Sequence, residues 1–451
     1  MTESRKATAH PTKSFFVRMI TRDISLEDCI LDLIDNSIDG ALSKQGSPPL
    51  GLSSDVDLTS YNIDVSVGPE RFDIVDDCGG MTLDEAADYA FSFGRPDDAP
   101  QEDFSIGVYG IGMKRAVFKM GGDIRITSTY QDDAAIQSFC VPINVGRWLA
   151  LKDDVWDFDI EEADDLPAPG VRVFVKDLNE QTRDAFGSPT FVNGLRRTVG
   201  RDYALHLARG LDVTVNGEPV EGVDIQLREG AEFKPVRVGY EDEVGGTSVK
   251  VEIVAGMAAP PPDDATPDEQ KKSDERYGWY VVCNGRVVVA GDKTSVTGWG
   301  SEKWPQWHPQ YSGFLGLIFF TASDAEVLPL TTTKRSVDTS SALYRRALTR
   351  ARDVTTRWTS YTNARKQDLE EAKKREAASV SVSIARVEPS KSAVFPAYVS
   401  KPREKRANVN YSVPLDRMKA LAVAYDRPGM SYRDVGLRTF DEAFRNNVGD
   451  D

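Results

Sequence analysis

The chain has 451 residues, of which 40% are hydrophobic and 28% charged, and a formal net charge of −16. That length predicts two or three domains with sizeable cores, and that charge argues against a general nucleic-acid coat. No run of eighteen apolar residues occurs and no apolar stretch follows the opening Met-Thr-Glu-Ser-Arg-Lys, so the expectation is a cytoplasmic protein with no membrane partner. Cys29, Cys78, Cys140 and Cys283 are scattered, and His10, His206 and His308 lack ligand spacing, which indicates neither a disulfide framework nor a zinc site.

Residues 32 to 39 place Asp32, Asn36 and Asp39 at i, i+4 and i+7, on one face of a helix. A carboxylate one turn before a carboxamide suits a magnesium-dependent, water-activating site: the amide oxygen can join an octahedral Mg²⁺ shell while the carboxylate polarises a water. A solvated polar face would present the same pattern. Residues 72 to 81, Phe-Asp-Ile-Val-Asp-Asp-Cys-Gly-Gly-Met, read as a short strand that breaks at a carboxylate into a glycine turn. Asp76 can then face a base edge, with Gly79 and Gly80 allowing close backbone approach. Residues 107 to 114, Gly-Val-Tyr-Gly-Ile-Gly-Met-Lys, lead into a helical stretch from Ala116 to Met120, and glycines before a helix leave N–H groups free to cradle phosphate oxygens. The run lacks the Lys-Ser/Thr ending of a P-loop.

Taken in order, these three motifs resemble the GHKL ATPase superfamily: gyrase B, the ninety-kilodalton heat-shock chaperones, MutL-type repair proteins and the microrchidia ATPases. The resemblance implies an α+β chain with a Bergerat-fold ATPase sandwich over 1–195, ATP and Mg²⁺ as ligands, and a glycine-rich lid. By motif position it implies that Asn36 binds Mg²⁺, that Asp76 accepts the adenine amino hydrogen, and that Asp39, Gly80, Met81, Gly107, Tyr109, Gly110, Ile111, Gly112, Met113 and Lys114 line the nucleotide. Three departures follow. Asp32 stands where the family has a glutamate general base, one methylene longer, so turnover is expected to be slow. Cys78 replaces the first glycine of the Asp-x-Gly-x-Gly turn. Gly170 is followed by Val171 where a threonine often supports the adenine-binding aspartate, so that support must come from water or another residue.

In the second half, Asn284-Gly285 between two β-rich runs predicts a hairpin over Tyr277 to Ala290, and a further apolar run spans Gly313 to Phe320. Residues 326 to 338 resemble the loop of the GHKL transducer domain that carries a basic residue to the γ-phosphate, with Lys334 as the catalytic candidate and Arg335 in reserve. The expected transducer-like α/β domain covers 196–345. Trp299, Trp304, Trp307, His308 and Tyr311 are expected to pack rather than bind ligand. Eight acidic residues between 153 and 165 read as a solvated loop, and residues 257 to 276 as a flexible insert. Residues 346–407 read as a basic helix through Glu376 and then a flexible linker. The 408–451 tail reads as a small strand-helix-helix unit for dimerisation or partner docking, with a ribbon-helix-helix DNA reader as a weaker alternative.

The reading is a Mg²⁺-dependent ATPase, a homodimer when ATP closes its lid, acting on a nucleic-acid or protein client. Resemblance to prokaryotic microrchidia-like proteins suggests genome maintenance or phage defence. A chaperone-like remodeller is the alternative, and a histidine kinase is disfavoured because no phospho-acceptor helix is evident.

Overall fold

Strict alternation builds the first sheet. In β1 (Asn62–Val67) Ile63, Val65 and Val67 are buried between exposed neighbours, and in β2 (Phe72–Asp76) Phe72, Ile74 and Asp76 take the inward positions. A computed structural model describes residues 11–92, 111–132, 135–152, 155–263, 276–301, 304–331, 334–397 and 409–449. The other strands are β3 (Gly121–Asp132), β4 (Ala135–Asn144), β5 (Glu161–Glu162), β6 (Gly170–Leu178), β7 (Asp212–Val215) and β8 (Glu218–Pro219). Their order is β5-β4-β3-β6-β2-β1-β7-β8, with β1 and β7 parallel and the other pairs antiparallel. The sheet therefore runs past residue 195, where the sequence had suggested the first domain would end.

Helix α1 (Lys13–Arg22) precedes α2 (Leu26–Gln45), which is buried on nearly every side. Ser25 caps α2 by accepting from the Asp28 N–H, Glu27 and Asp28 sit in its positive first turn, and Gly46 ends it at φ +60°. Ile30, Ile34 and Ile38 of α2 share one core with Ile63, Ile74 and Val175 of the sheet. Between 155 and 165 the acidic residues stay exposed, while Trp156 and Phe158 turn onto that core. The expected solvated loop thus has an apolar anchor.

The second sheet is β10-β11-β14-β12-β13, built from β10 (Val236–Val244), β11 (Thr247–Met257), β12 (Gly278–Cys283), β13 (Arg286–Asp292) and β14 (Phe314–Ala322). Asn284 at φ +46° and Gly285 at φ +82° form the hairpin turn between β12 and β13, as their sequence requires. The helix Ala342–Ala364 lays Tyr344, Ala347, Ala351, Val354 and Trp358 on this core, together with Trp299 and Tyr311 of the aromatic cluster. It too crosses the expected boundary at 345. Of the 257–276 insert, residues 264–275 lie outside the described residues.

The expected linker departs from its compositional reading. β15 (Val380–Ser383) pairs antiparallel with β9 (Gln226–Glu229), and Ile384 and Val387 bury beside Leu227 and Val254. Val382, Ile384 and Val387, spaced along a Ser-rich stretch, are enough to dock it once an unpaired edge strand is on offer. Residues 409–449 belong to a separate compact unit that contains the helices Leu415–Ala424 and Tyr432–Asn447. The two expected helices form. Residues 409–414 make no strand, because a lone six-residue segment has no partner for its backbone groups.

Candidate active site

The site grows from the middle of α2 and the turn after β2. As the last inward residue of β2, Asp76 brings its carboxylate into the core, where burial raises its pKa despite three donors. Ser37 Oγ donates to Oδ2 at 2.6 Å, while the N–H groups of Cys78 (3.0 Å) and Val171 (3.1 Å) donate to Oδ1. Ser37 therefore supplies the hydroxyl support that the Gly170-Val171 pair lacks. The missing threonine is replaced from the helix, one residue after Asn36.

Backbone proximity explains the glycines. A Cβ at Gly80 would lie 2.0 Å from the Thr129 carbonyl oxygen, and one at Gly170 would lie 1.8 Å from that of Asp76. Gly79 and Gly80 take the left-handed conformations of the turn, at φ +116° and +75°, so Cys78 is not asked for a positive φ and its substitution for glycine is tolerated. Met81 is pinned by Ser128: its N–H donates to Ser128 Oγ at 2.7 Å, and that hydroxyl donates back to Met81 O at 2.8 Å.

Towards the phosphate side, Asn36 is exposed and its side chain makes no hydrogen bond among the described residues, whereas Asp32 and Asp35 are buried. Arg115 holds Asp32 Oδ2 through Nε (3.1 Å) and Nη2 (2.7 Å). Lys334 Nζ lies 2.9 Å from Asp35 Oδ2 and 3.7 Å from Asp32 Oδ1. Asp35 also receives Arg286, from the first position of β13, and the Tyr203 hydroxyl at 2.7 Å. Burial alone would raise the Asp35 pKa, but Arg286 and Lys334 hold it below the usual carboxylate range. Arg335 turns away, to Asp28, to Asp202 at 2.8 Å and to Glu27 at 3.3 Å. Adjacent basic residues thus have different tasks: Lys334 faces Asp32 and Asp35, and Arg335 faces the first turn of α2 and Asp202.

Helix α3 (Gly112–Met120) starts against this cluster: a Cβ at Gly112 would meet Asp32 Oδ2 at 3.4 Å. Its N-cap is Ile111, which has no capping oxygen, and its first turn carries no acidic residue, an arrangement receptive to an anion. Met113 is half-buried. Lys114, expected to line the nucleotide, is held by the chain's own backbone. Its Nζ donates to the carbonyls of Ala90 (2.7 Å) and Ser92 (2.6 Å), and burial pushes its pKa down to about 7. Even as a neutral amine it has two hydrogens for two carbonyls. Gly107, Tyr109 and Gly110 lie outside the described residues, and Asp39 is half-buried on the same face as Asn36.

Sequence reading missed Asp35, Ser37, Arg115, Tyr203 and Arg286. Arg286 carried a signal, being the one charge between Gly285 and Val-Val-Val in an otherwise apolar hairpin. The others had none beyond their neighbours in the motifs.

No curated protein matches the chain. Among the described residues no helix is long and apolar enough to cross a membrane. Residues 24–162 match the family model of histidine kinase-, DNA gyrase B- and HSP90-like ATPases, a match to under half of the chain that supports a GHKL-type ATPase domain there, with ATP binding and hydrolysis in general as its chemistry.

Proposed function

We propose that the chain is a Mg²⁺-dependent ATPase whose nucleotide-driven closure couples the first sheet to the second, with Asp76 reading adenine and Asp32 and Lys334 serving the phosphates. The observation that carries this is Asp76. A carboxylate offers about four acceptor positions, three are filled by Ser37, Cys78 and Val171, and one is left for a donor such as the adenine amino group. Asn36 fits a Mg²⁺ ligand because it is exposed and has no protein hydrogen bond among the described residues. No cluster of three His, Cys, Asp or Glu able to hold a metal occurs among them, so the ion would arrive with the phosphates, whose charge it would neutralise.

In the hydrolytic step a water oxygen bonds to the γ-phosphorus, the bond from that phosphorus to the β,γ-bridging oxygen breaks, and ADP leaves. Asp32 takes the proton of the water, and Lys334 stabilises the terminal phosphate. ATP-dependent homodimerisation, and action on a nucleic-acid or protein client in genome maintenance or phage defence, rest on the resemblance to microrchidia-like proteins.

Calorimetry with ATP, GTP and ADP in the presence of Mg²⁺ tests the core of the reading. ATP should bind and GTP should not, because a guanine carbonyl would meet Asp76 acceptor to acceptor. Asp76→Asn should weaken ATP by about 1–3 kcal/mol. Equal binding of ATP and GTP by the natural chain would remove Asp76 as the adenine reader.

A further inference from the structure

Asp32 is one methylene shorter than the glutamate expected at its position, and its carboxylate is 2% exposed, so something must fix where its oxygens lie. Both bonds from Arg115, Nε at 3.1 Å and Nη2 at 2.7 Å, go to the same oxygen, Oδ2. Oδ1 is left with Lys334 Nζ at 3.7 Å, beyond hydrogen-bond reach. Two bonds converging on one oxygen tie Oδ2 to the guanidinium and leave the edge of Oδ1 open. The Arg115 side chain is itself only 11% exposed and springs from the first turn of α3, three residues after Gly112. With no Cβ at 112, the backbone of the turn stands directly against Asp32.

We propose that Arg115 is the positioning residue of the hydrolytic site: it clamps Oδ2 of Asp32 so that Oδ1 alone is offered to the attacking water. The inference rests on the reading of Asp32 as general base. Arg115 acts through Asp32, as the third group of a nucleophile–base–orienter chain. During turnover the water proton passes to Oδ1, and Oδ2 stays on the guanidinium. The short side chain at 32 and the arginine at 115 thus form one device, in which reach lost at the base is recovered as fixed orientation.

The test measures phosphate release and ADP affinity for the full chain and for Arg115→Ala, Arg115→Lys and Asp32→Asn. Arg115→Ala should lower kcat roughly tenfold to a hundredfold, the scale of a misplaced catalytic group, with KM and ADP affinity within about twofold. Arg115→Lys keeps a cation that can reach Oδ2 with one bond and should recover a substantial part of kcat, and it carries the test should the alanine variant fail to fold. Three results would overturn the proposal: unchanged kcat in both variants, a raised kcat (Arg115 merely restrains Asp32), or a raised KM with kcat intact (Arg115 binds phosphate). Normal hydrolysis by Asp32→Asn would instead sink the general-base reading beneath it, a failure separable from the other three because it appears with Arg115 in place.

Discussion

The adenine side and the phosphate side of the site, which meet at the middle of α2, are built on opposite principles. The adenine-facing end is assembled within the first sheet: Ser37, Asp76, Cys78 and Val171 all lie before residue 172 and make their bonds without the second sheet. The phosphate-facing end is not. Asp35 is neutralised by Arg286 and Lys334, 251 and 299 residues away, so its charge is stable in the core only while the second sheet is docked. A base-reading end that stands alone and a phosphate end that needs both layers are what a nucleotide-coupled device requires, because only the second can report on domain position.

The largest expected effect breaks the second end. Asp35→Asn leaves Arg286, 1% exposed, and Lys334, 5% exposed, without their common anion. Removing one partner of a buried ion group typically costs about 3–5 kcal/mol, while replacing both with apolar groups costs far less. Urea unfolding should show that loss for Asp35→Asn and a partial recovery in the Asp35→Asn, Arg286→Met double variant. A loss below about 1 kcal/mol would mean that Asp35 does not hold the layers together.

Acid should loosen the same junction. The His206 ring packs against Gly285 at the hairpin tip, and neither of its nitrogens has a partner among the described residues. Burial lowers its pKa to about 4, Arg286 adding to the fall and Asp35 opposing it. The folded value lies below the unfolded one, so the neutral ring contributes stability in full above about pH 6.5, and that contribution is lost as pH falls toward 4. The loss is on the order of 3 kcal/mol. The stability difference between the natural chain and His206→Phe, followed from pH 7 to pH 4, isolates it from the carboxylates that titrate in both. A flat difference would show that the ring protonates as readily in the folded chain as outside it.

What could be read from sequence divides along the same line. Asp76, Gly80 and Met81 are neighbours in one run, so their joint geometry is written in a strand that ends in a glycine turn. Asn284-Gly285 likewise dictates its hairpin locally. Asp35 sat inside the most informative motif and still went unremarked, because its meaning depends on Arg286 and Lys334, and one sequence contains no statement of which distant cations meet a given carboxylate. Lys114 adds a contact that its motif does not contain: motif position puts it beside the nucleotide, and the carbonyls that receive its Nζ are those of Ala90 and Ser92. The docking of residues 380–387 was hidden by a Ser-rich composition that reads as linker until an edge strand is supplied.

Within the proposed ATPase, Lys334→Ala sharpens the comparison kinetically. The lysine would meet only the terminal phosphate, so phosphate release should fall about tenfold or more while ADP affinity stays nearly unchanged. Small-angle scattering with a non-hydrolysable ATP analogue should show that the variant fails to compact. Arg335→Ala is the control, since Arg335 pairs with Asp28, Asp202 and Glu27 rather than with the carboxylates at 32 and 35. If Arg335→Ala loses turnover and Lys334→Ala does not, the roles of the two residues are exchanged.

The smallest expected effect falls on the end that stands alone. Ser37→Ala removes the 2.6 Å hydroxyl donor to Asp76 Oδ2 and keeps both backbone donors to Oδ1, so the carboxylate stays in place but loses the bond that aims its open oxygen. One hydrogen bond to a charged acceptor is worth about 1.5–3 kcal/mol, and a water entering beside the new methyl would return part of that, leaving a net loss near 1 kcal/mol, or about fivefold in affinity. The discriminating feature is the pattern rather than the size. Because Ser37 acts on the base and not on the phosphates, ADP and ATP should weaken by the same factor, whereas Lys334→Ala should separate them. Calorimetry on both variants with both nucleotides gives the four numbers needed. If Ser37→Ala weakens ATP but spares ADP, the two sides of the site are coupled through α2, and the independence inferred for the adenine side is lost.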